Sequence, residues 1–170
     1  MCCSPGDYWE RVIHVSTAKA ILREAKAPWK NLTLNGRVEG DYLYRTALAK
    51  NIAPFLLINP LLVLLPLSIE TIEDSAGVRR HFMLHDHEAL HIRGACYASE
   101  WFWQAEALWK QHRTENNTDK NTALPDYLNW QHKLTSQNPD ARFMVLYTAS
   151  GTDACAVLID ASQFDAPYYC

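Results

Sequence analysis

Five consecutive residues have the types and spacing to do chemistry: His87-Glu88-Ala89-Leu90-His91. On a helix, positions i and i+4 face the same side, so both imidazoles can approach one ion while the glutamate polarises a bound water. That is the H-E-x-x-H arrangement of zinc hydrolases, which need three protein ligands and an open fourth position. Gly94 falls where the longer metzincin pattern has a glycine, but the third histidine of that pattern would be residue 97, which is Tyr97. A third ligand has to come from elsewhere, with Glu100, Glu106 and His112 as candidates. No long helix is expected at the motif itself, and His81, His85 and Asp86 crowd its start. The expectation is therefore surface histidines without metal. Zinc on His87 and His91, catalytic or structural with His85, is the alternative.

The elements around the motif follow from local signals. Asp86 caps a turn over 87–92, Gly94 interrupts it, and a longer helix follows from about Ala95 to Arg113. Its apolar stripe is Ala98, Trp101/Phe102, Ala105 and Leu108/Trp109. Trp101, Trp103 and Trp109 are read as core before they are read as a binding platform. Ser16 and Thr17 are possible caps of a short helix ending near Lys26, and Pro125 opens another running to about Ser136. Asn35-Gly36 predicts a hairpin turn within 30–40. Residues 61–66 predict a central strand with 78–84 as its partner, the chain turning between Asp74 and Gly77. Arg142 to Thr148 and Ala154 to Asp160 flank a hairpin turn centred on Gly151. The expected fold is α+β: one domain with a small mixed sheet, its C-terminal hairpin packed against two or three helices. The polar stretch 113–122 reads as a mobile linker.

Composition narrows the function classes. The chain has 170 residues, 48% hydrophobic and 21% charged, which predicts a packed core. Its net charge of −3 argues against a strongly basic nucleic-acid binder. Residues 1–60 nevertheless carry a surplus of Lys and Arg. The apolar run 52–67 is broken by Pro54, Pro60 and Pro66, too short for a membrane span, and reads as buried core. Five cysteines without a C-x-x-C pattern, behind a start lacking a secretory signal, predict a reducing cytoplasmic setting. Cys96 and Cys155 read as core thiols. Phosphate-binding glycine loops are absent, and Ser150-Gly151 lacks the flanking glycine of a nucleophile elbow.

Four segments together carry a family resemblance: GDYLYRTALAKNIAPFLLINPLLVLLPL, ASEWFWQAEALWKQHR, LPDYLNWQHKLTSQNP and RFMVLYTASGTDACAVLID. In this order they resemble the C-terminal, target-recognition region of large adenine-specific DNA methyltransferases of restriction–modification and phage-defence systems. The likeness covers residues from about 35 to 160. It implies that HEALH is a capping turn without a metal role. The family's N-P-P-Y or N-P-P-F loop, which receives a flipped adenine, is missing: Asn59-Pro60-Leu61 and Asn138-Pro139-Asp140 do not match it. The resemblance thus implies a fragment outside the catalytic fold, inactive alone. S-adenosylmethionine would be bound by the parent enzyme, and the implied partners are double-stranded DNA, held weakly, and a methyltransferase catalytic chain. Candidate DNA contacts are Arg79, Arg80, Lys133, Gln137 and Arg142, with Ser150, Gly151 and Thr152 in the last turn. A protein-interaction domain, using 52–67 or the tryptophans, is the third reading.

Overall fold

The computed structural model describes residues 12–75, 77–113, 122–148 and 154–161. The fold is α+β. In chain order the strands are β1 (Val12–Ser16), β2 (Asn35–Glu39), β3 (Leu43–Thr46), β4 (Ile52–Ala53), β5 (Leu56–Leu57), β6 (Leu61–Leu64), β7 (Leu67–Asp74), β8 (Gly77–Leu84), β9 (Phe143–Tyr147) and β10 (Ala156–Asp160). The helices are α1 (Lys19–Glu24), α2 (His87–Ile92), α3 (Cys96–His112) and α4 (Leu124–Leu128). In place of one mixed sheet, the described strands form five separate two-stranded pairs: β1–β2, β3–β6, β4–β5, β7–β8 and β9–β10. The chain gathers into two compact units. One holds Met1–Tyr42, Pro66–Ser68 and Met83–Thr135; the other holds Leu43–Leu65, Ile69–Phe82 and Ser136–Cys170. Among the described residues no helix is long and apolar enough to cross a membrane.

In the first unit, Asn35-Gly36 is not a turn. Both residues lie in β2, paired with β1 so that Ser16 faces Asn35 and Val15 faces Gly36. The turn signal yields because a partner strand exists about twenty residues upstream. Thr17 does not cap α1 either. Its backbone N–H donates to the Leu34 carbonyl at 2.9 Å and its Oγ1 accepts from Leu34 N at 2.9 Å, prolonging the β1–β2 ladder. Residue Ala18 stands at the start of α1 without a side-chain cap.

The helix expected from Pro125 to Ser136 stops after Leu128. Gln131 and His132 adopt positive φ, 54° and 59°, which no α-helix tolerates. Asn129 causes the break: its Oδ1 accepts from Leu134 N and Thr135 N, offering the backbone an alternative to helical bonds. Leu134 is buried by this fold-back. At the other end of this region, Trp109 stacks on Trp29 with centroids 5.9 Å apart, tilts against Tyr127, and donates its indole N–H to Thr122 O.

In the second unit, 61–64 is not a central strand and 78–84 is not its partner. β6 pairs with β3, and β8 pairs with β7 through the turn after Asp74. β6 stops at Leu64, before Pro66, and β7 begins at Leu67, so β8 finds a partner closer in sequence than 61–66. The run 52–67 is largely exposed in its middle: Phe55, Leu56, Ile58 and Leu62 all face solvent, while Ile52, Leu65, Pro66 and Leu67 are buried. Asn51 organises this loop. Its side chain accepts from Leu48 N and donates to the carbonyls of Ile58 and Asn59. β9 and β10 form the expected C-terminal hairpin, with Leu146 opposite Val157. Helices were expected beneath it. Within its unit, the inner face, with Leu146, Val157 and Ile159, instead packs on Ile52, Ala47 and Leu57.

Candidate functional site

The HEALH segment is α2, six residues long and closed at both ends by local signals. The Asp86 carboxylate accepts from Ala89 N at 2.8 Å, the bond of an N-cap side chain to the third helical residue. At the other end Gly94, at φ +85°, donates to His91 O while Ala95 donates to Leu90 O. Those two bonds are the Schellman pattern, which needs a left-handed residue and so favours glycine. The chain reverses there and enters α3.

Two partners steady α2, contrary to the expectation that nothing supports it. Leu90 is fully buried, and the Ser99 hydroxyl of α3 donates to the His87 carbonyl at 2.7 Å. The start of α3 is held in turn by β2. The Glu39 carboxylate accepts from Tyr97 N at 3.0 Å and from Ala98 N at 2.7 Å. Ala95, the residue at the α3 N-cap, offers no side-chain bond, so a glutamate 58 residues before Tyr97 does the capping. The Arg37 guanidinium lies over the Tyr97 ring, 4.6 Å from its centroid. This tertiary cap was missed by sequence reasoning because no local pattern marks it.

α2 and α3 enclose an open groove of about 600 Å³, lined by His87, Glu88, His91, Ile92, Cys96, Ser99, Glu100 and Trp103. Both histidines of the motif therefore reach one cavity. His87 Nδ1 lies 3.0 Å from Glu106 Oε2. A carboxylate oxygen accepts, so Nδ1 of His87 is the donor of this bond and Nε2 is the ring nitrogen left for another partner. Glu106 is buried, and its second oxygen, Oε1, has no protein partner.

The other proposed metal ligands separate. His85 is buried and its Nε2 lies 2.7 Å from Ser68 Oγ, so it does not join His87 and His91 in the groove. His112 packs edge-on against Trp29. Glu106 stands behind His87 and is not part of the groove lining, whereas Glu100 lines it. Among the described residues no cluster of three His, Cys, Asp or Glu side chains is arranged to hold a metal ion. The tryptophans do not act as one platform: Trp109 is buried, Trp101 sits beside Gly36, and Trp103 is exposed on the groove. Cys96 and Cys155 are free thiols of intermediate burial.

The candidate DNA contacts fall in different places. Arg79 and Arg80 are exposed neighbours on β8, directed by strand alternation to opposite faces. Arg80 Nη1 bonds Asp140 Oδ1 at 2.8 Å, and Arg142 Nη2 bonds Asp160 Oδ2 at 3.3 Å while its guanidinium covers Phe143. Arg80 thus pairs with Asp140, two residues before Arg142, while Arg142 itself turns to Asp160. Gln137 is half-buried in the same unit, whereas Lys133 is exposed in the other one. Ser150, Gly151 and Thr152 lie outside the described residues.

No protein-family profile matches the chain, and no curated protein or solved structure is detectably similar to it.

Proposed function

We propose that this chain is a non-catalytic recognition and scaffold module of a DNA methyltransferase-like assembly, with S-adenosylmethionine and the catalytic loop supplied by a companion chain. The observation that carries the reading is the pair of exposed arginines around the segment 140–142, Arg80 held by Asp140 and Arg142 held by Asp160. Both guanidiniums are solvent-accessible, and each is oriented by one carboxylate. Exposed pairs of this kind hold by at most about 1 kcal/mol, so a phosphate can replace Asp140 or Asp160 readily. With a net charge of −3, binding is weak and depends steeply on salt.

Fluorescence anisotropy of a labelled duplex tests this. At about 50 mM salt the chain is expected to bind, and Arg80→Ala with Arg142→Ala to lose affinity and reduce the salt slope by about one unit per contact removed. Absence of binding by the parent chain at that salt refutes the proposal.

A second reading rests on the C-terminal hairpin. Phe143, Val145 and Tyr147 on β9 and Leu158 on β10 form an exposed apolar face, opposite the buried one. Strands apolar on both faces are a mark of burial on both faces, which favours a protein partner. Concentration-dependent association seen by sedimentation, removed by Val145→Lys, would favour this reading over DNA contact.

A further inference from the structure

We propose that the groove between α2 and α3 is a binding site for a single divalent transition-metal ion of the zinc class, held by His87 Nε2 and the His91 imidazole. Three observations converge on it. The two histidines sit at i and i+4 on one helix and line one cavity. Nδ1 of His87 is engaged by the Glu106 carboxylate, the arrangement that orients a metal-binding imidazole and fixes its tautomer. Glu106 is buried with Oε1 unpartnered. A buried carboxylate bonded through one oxygen alone is under-compensated. A dication on the far side of the same ring offsets that charge through the imidazole, because it makes the Nδ1 proton a stronger donor.

The donor set defines the kind of site. Imidazole suits zinc, copper and nickel and is a poor match for magnesium or calcium. With two protein ligands and no cluster of three among the described residues, water completes the coordination shell and the ion stays open to the groove. The site is independent of the proposed DNA contact, which lies in the other unit.

Calorimetric titration of zinc into the chelator-stripped full chain tests the proposal. One ion per chain is expected, with the imidazole resonances of His87 and His91 shifting together. His91→Ala is the main variant, because His91 is exposed and its loss leaves the fold intact. It is expected to weaken binding at least tenfold. Glu106→Gln keeps the shape and an acceptor oxygen but removes the charge, and is expected to weaken zinc by about 10–100-fold, the usual effect of losing a carboxylate behind a ligating histidine. Zinc bound by His91→Ala or Glu106→Gln as tightly as by the parent chain overturns the site, since the ion would then be held by other groups. So does failure of the parent chain to bind at millimolar zinc.

Discussion

Removing Glu39 tests the logic of the whole first unit, because this one side chain closes the N-terminus of the longest helix from a distant strand. The first four N–H groups of a helix lack intrahelical acceptors. In α3 the Glu39 carboxylate takes two of them, at 3.0 and 2.7 Å. Loss of a single side-chain cap costs about 0.5–2 kcal/mol. Here two donors are served by a charge, and a negative charge at a helix N-terminus adds about 0.3–1 kcal/mol through the helix dipole. Glu39→Ala is therefore expected to lose about 2–3 kcal/mol, and Glu39→Gln, which keeps one acceptor, about 1 kcal/mol. For a chain of this length each kcal/mol shifts the melting temperature by about 2–4 °C, so the alanine variant should melt about 4–12 °C lower. Thermal melts followed by far-ultraviolet circular dichroism at 222 nm read α3 directly. Glu100→Ala, an exposed position on the same helix, serves as the control. A Glu39→Ala melt that overlays the parent would refute the cap and leave the β2–α3 contact as packing alone.

Further outcomes follow from the same unit. Leu90→Ala empties a fully buried position between α2 and its support, and is expected to cost about 2–5 kcal/mol by chemical denaturation. Because Leu90 holds α2 in place, the variant should also weaken zinc binding; unchanged zinc affinity would detach the site from the packing. Tyr42 supplies a pH dependence. Burial pushes its phenol above the ordinary value of 10.0, against the opposing pull of the hydrogen-bonded Arg93 guanidinium. The unfolded chain then releases this proton at lower pH than the folded one, so stability is intact below pH 10 and declines as pH rises through the folded value. Tyr42→Phe should flatten that alkaline decline, and a parallel decline in both chains would exclude Tyr42 as its source.

What the sequence disclosed was local. Asp86, the six helical residues and Gly94 stand where the caps of α2 place them, because a cap and a Schellman glycine act within one turn; the long helix follows from its own apolar stripe. The same holds for the strands of the last hairpin. What it hid was pairing. Asn35-Gly36 is a strong turn signal in isolation, and only the distant residues Val12–Ser16 convert it to strand. Pro125 and the residues to 136 suit a helix by propensity, yet the Asn129 side chain outbids the helical bonds. The run 52–67 misled for a different reason. Apolar composition implies burial only when a core is available, and Phe55, at φ 61°, is held at the tip of a tight loop with 93% of its surface in water. At the site, the sequence offers Glu106 as a candidate third ligand. Its actual position behind His87 depends on how α3 crosses α2, which no spacing in the sequence encodes.

That position changes the meaning of the motif. H-E-x-x-H in a zinc hydrolase derives its power from a third ligand and from a glutamate facing the metal-bound water. Here Tyr97 replaces the expected histidine and spends its backbone N–H on Glu39, so the chain beyond Gly94 is committed to starting a helix. The glutamate that engages the histidine pair from behind is Glu106, bonded to the His87 imidazole. A two-imidazole clamp backed by a buried carboxylate can hold an ion without organising a nucleophile. Such an ion would tie α2 to α3 through the ring of His87, adding to a junction otherwise maintained by Leu90, the Ser99 hydroxyl and the Schellman turn. Binding that favours the folded state over the unfolded one raises stability by mass action. Zinc should therefore raise the melting temperature of the parent chain and raise that of His91→Ala by clearly less at the same zinc concentration, separating a structural clamp from a surface histidine pair that binds nothing.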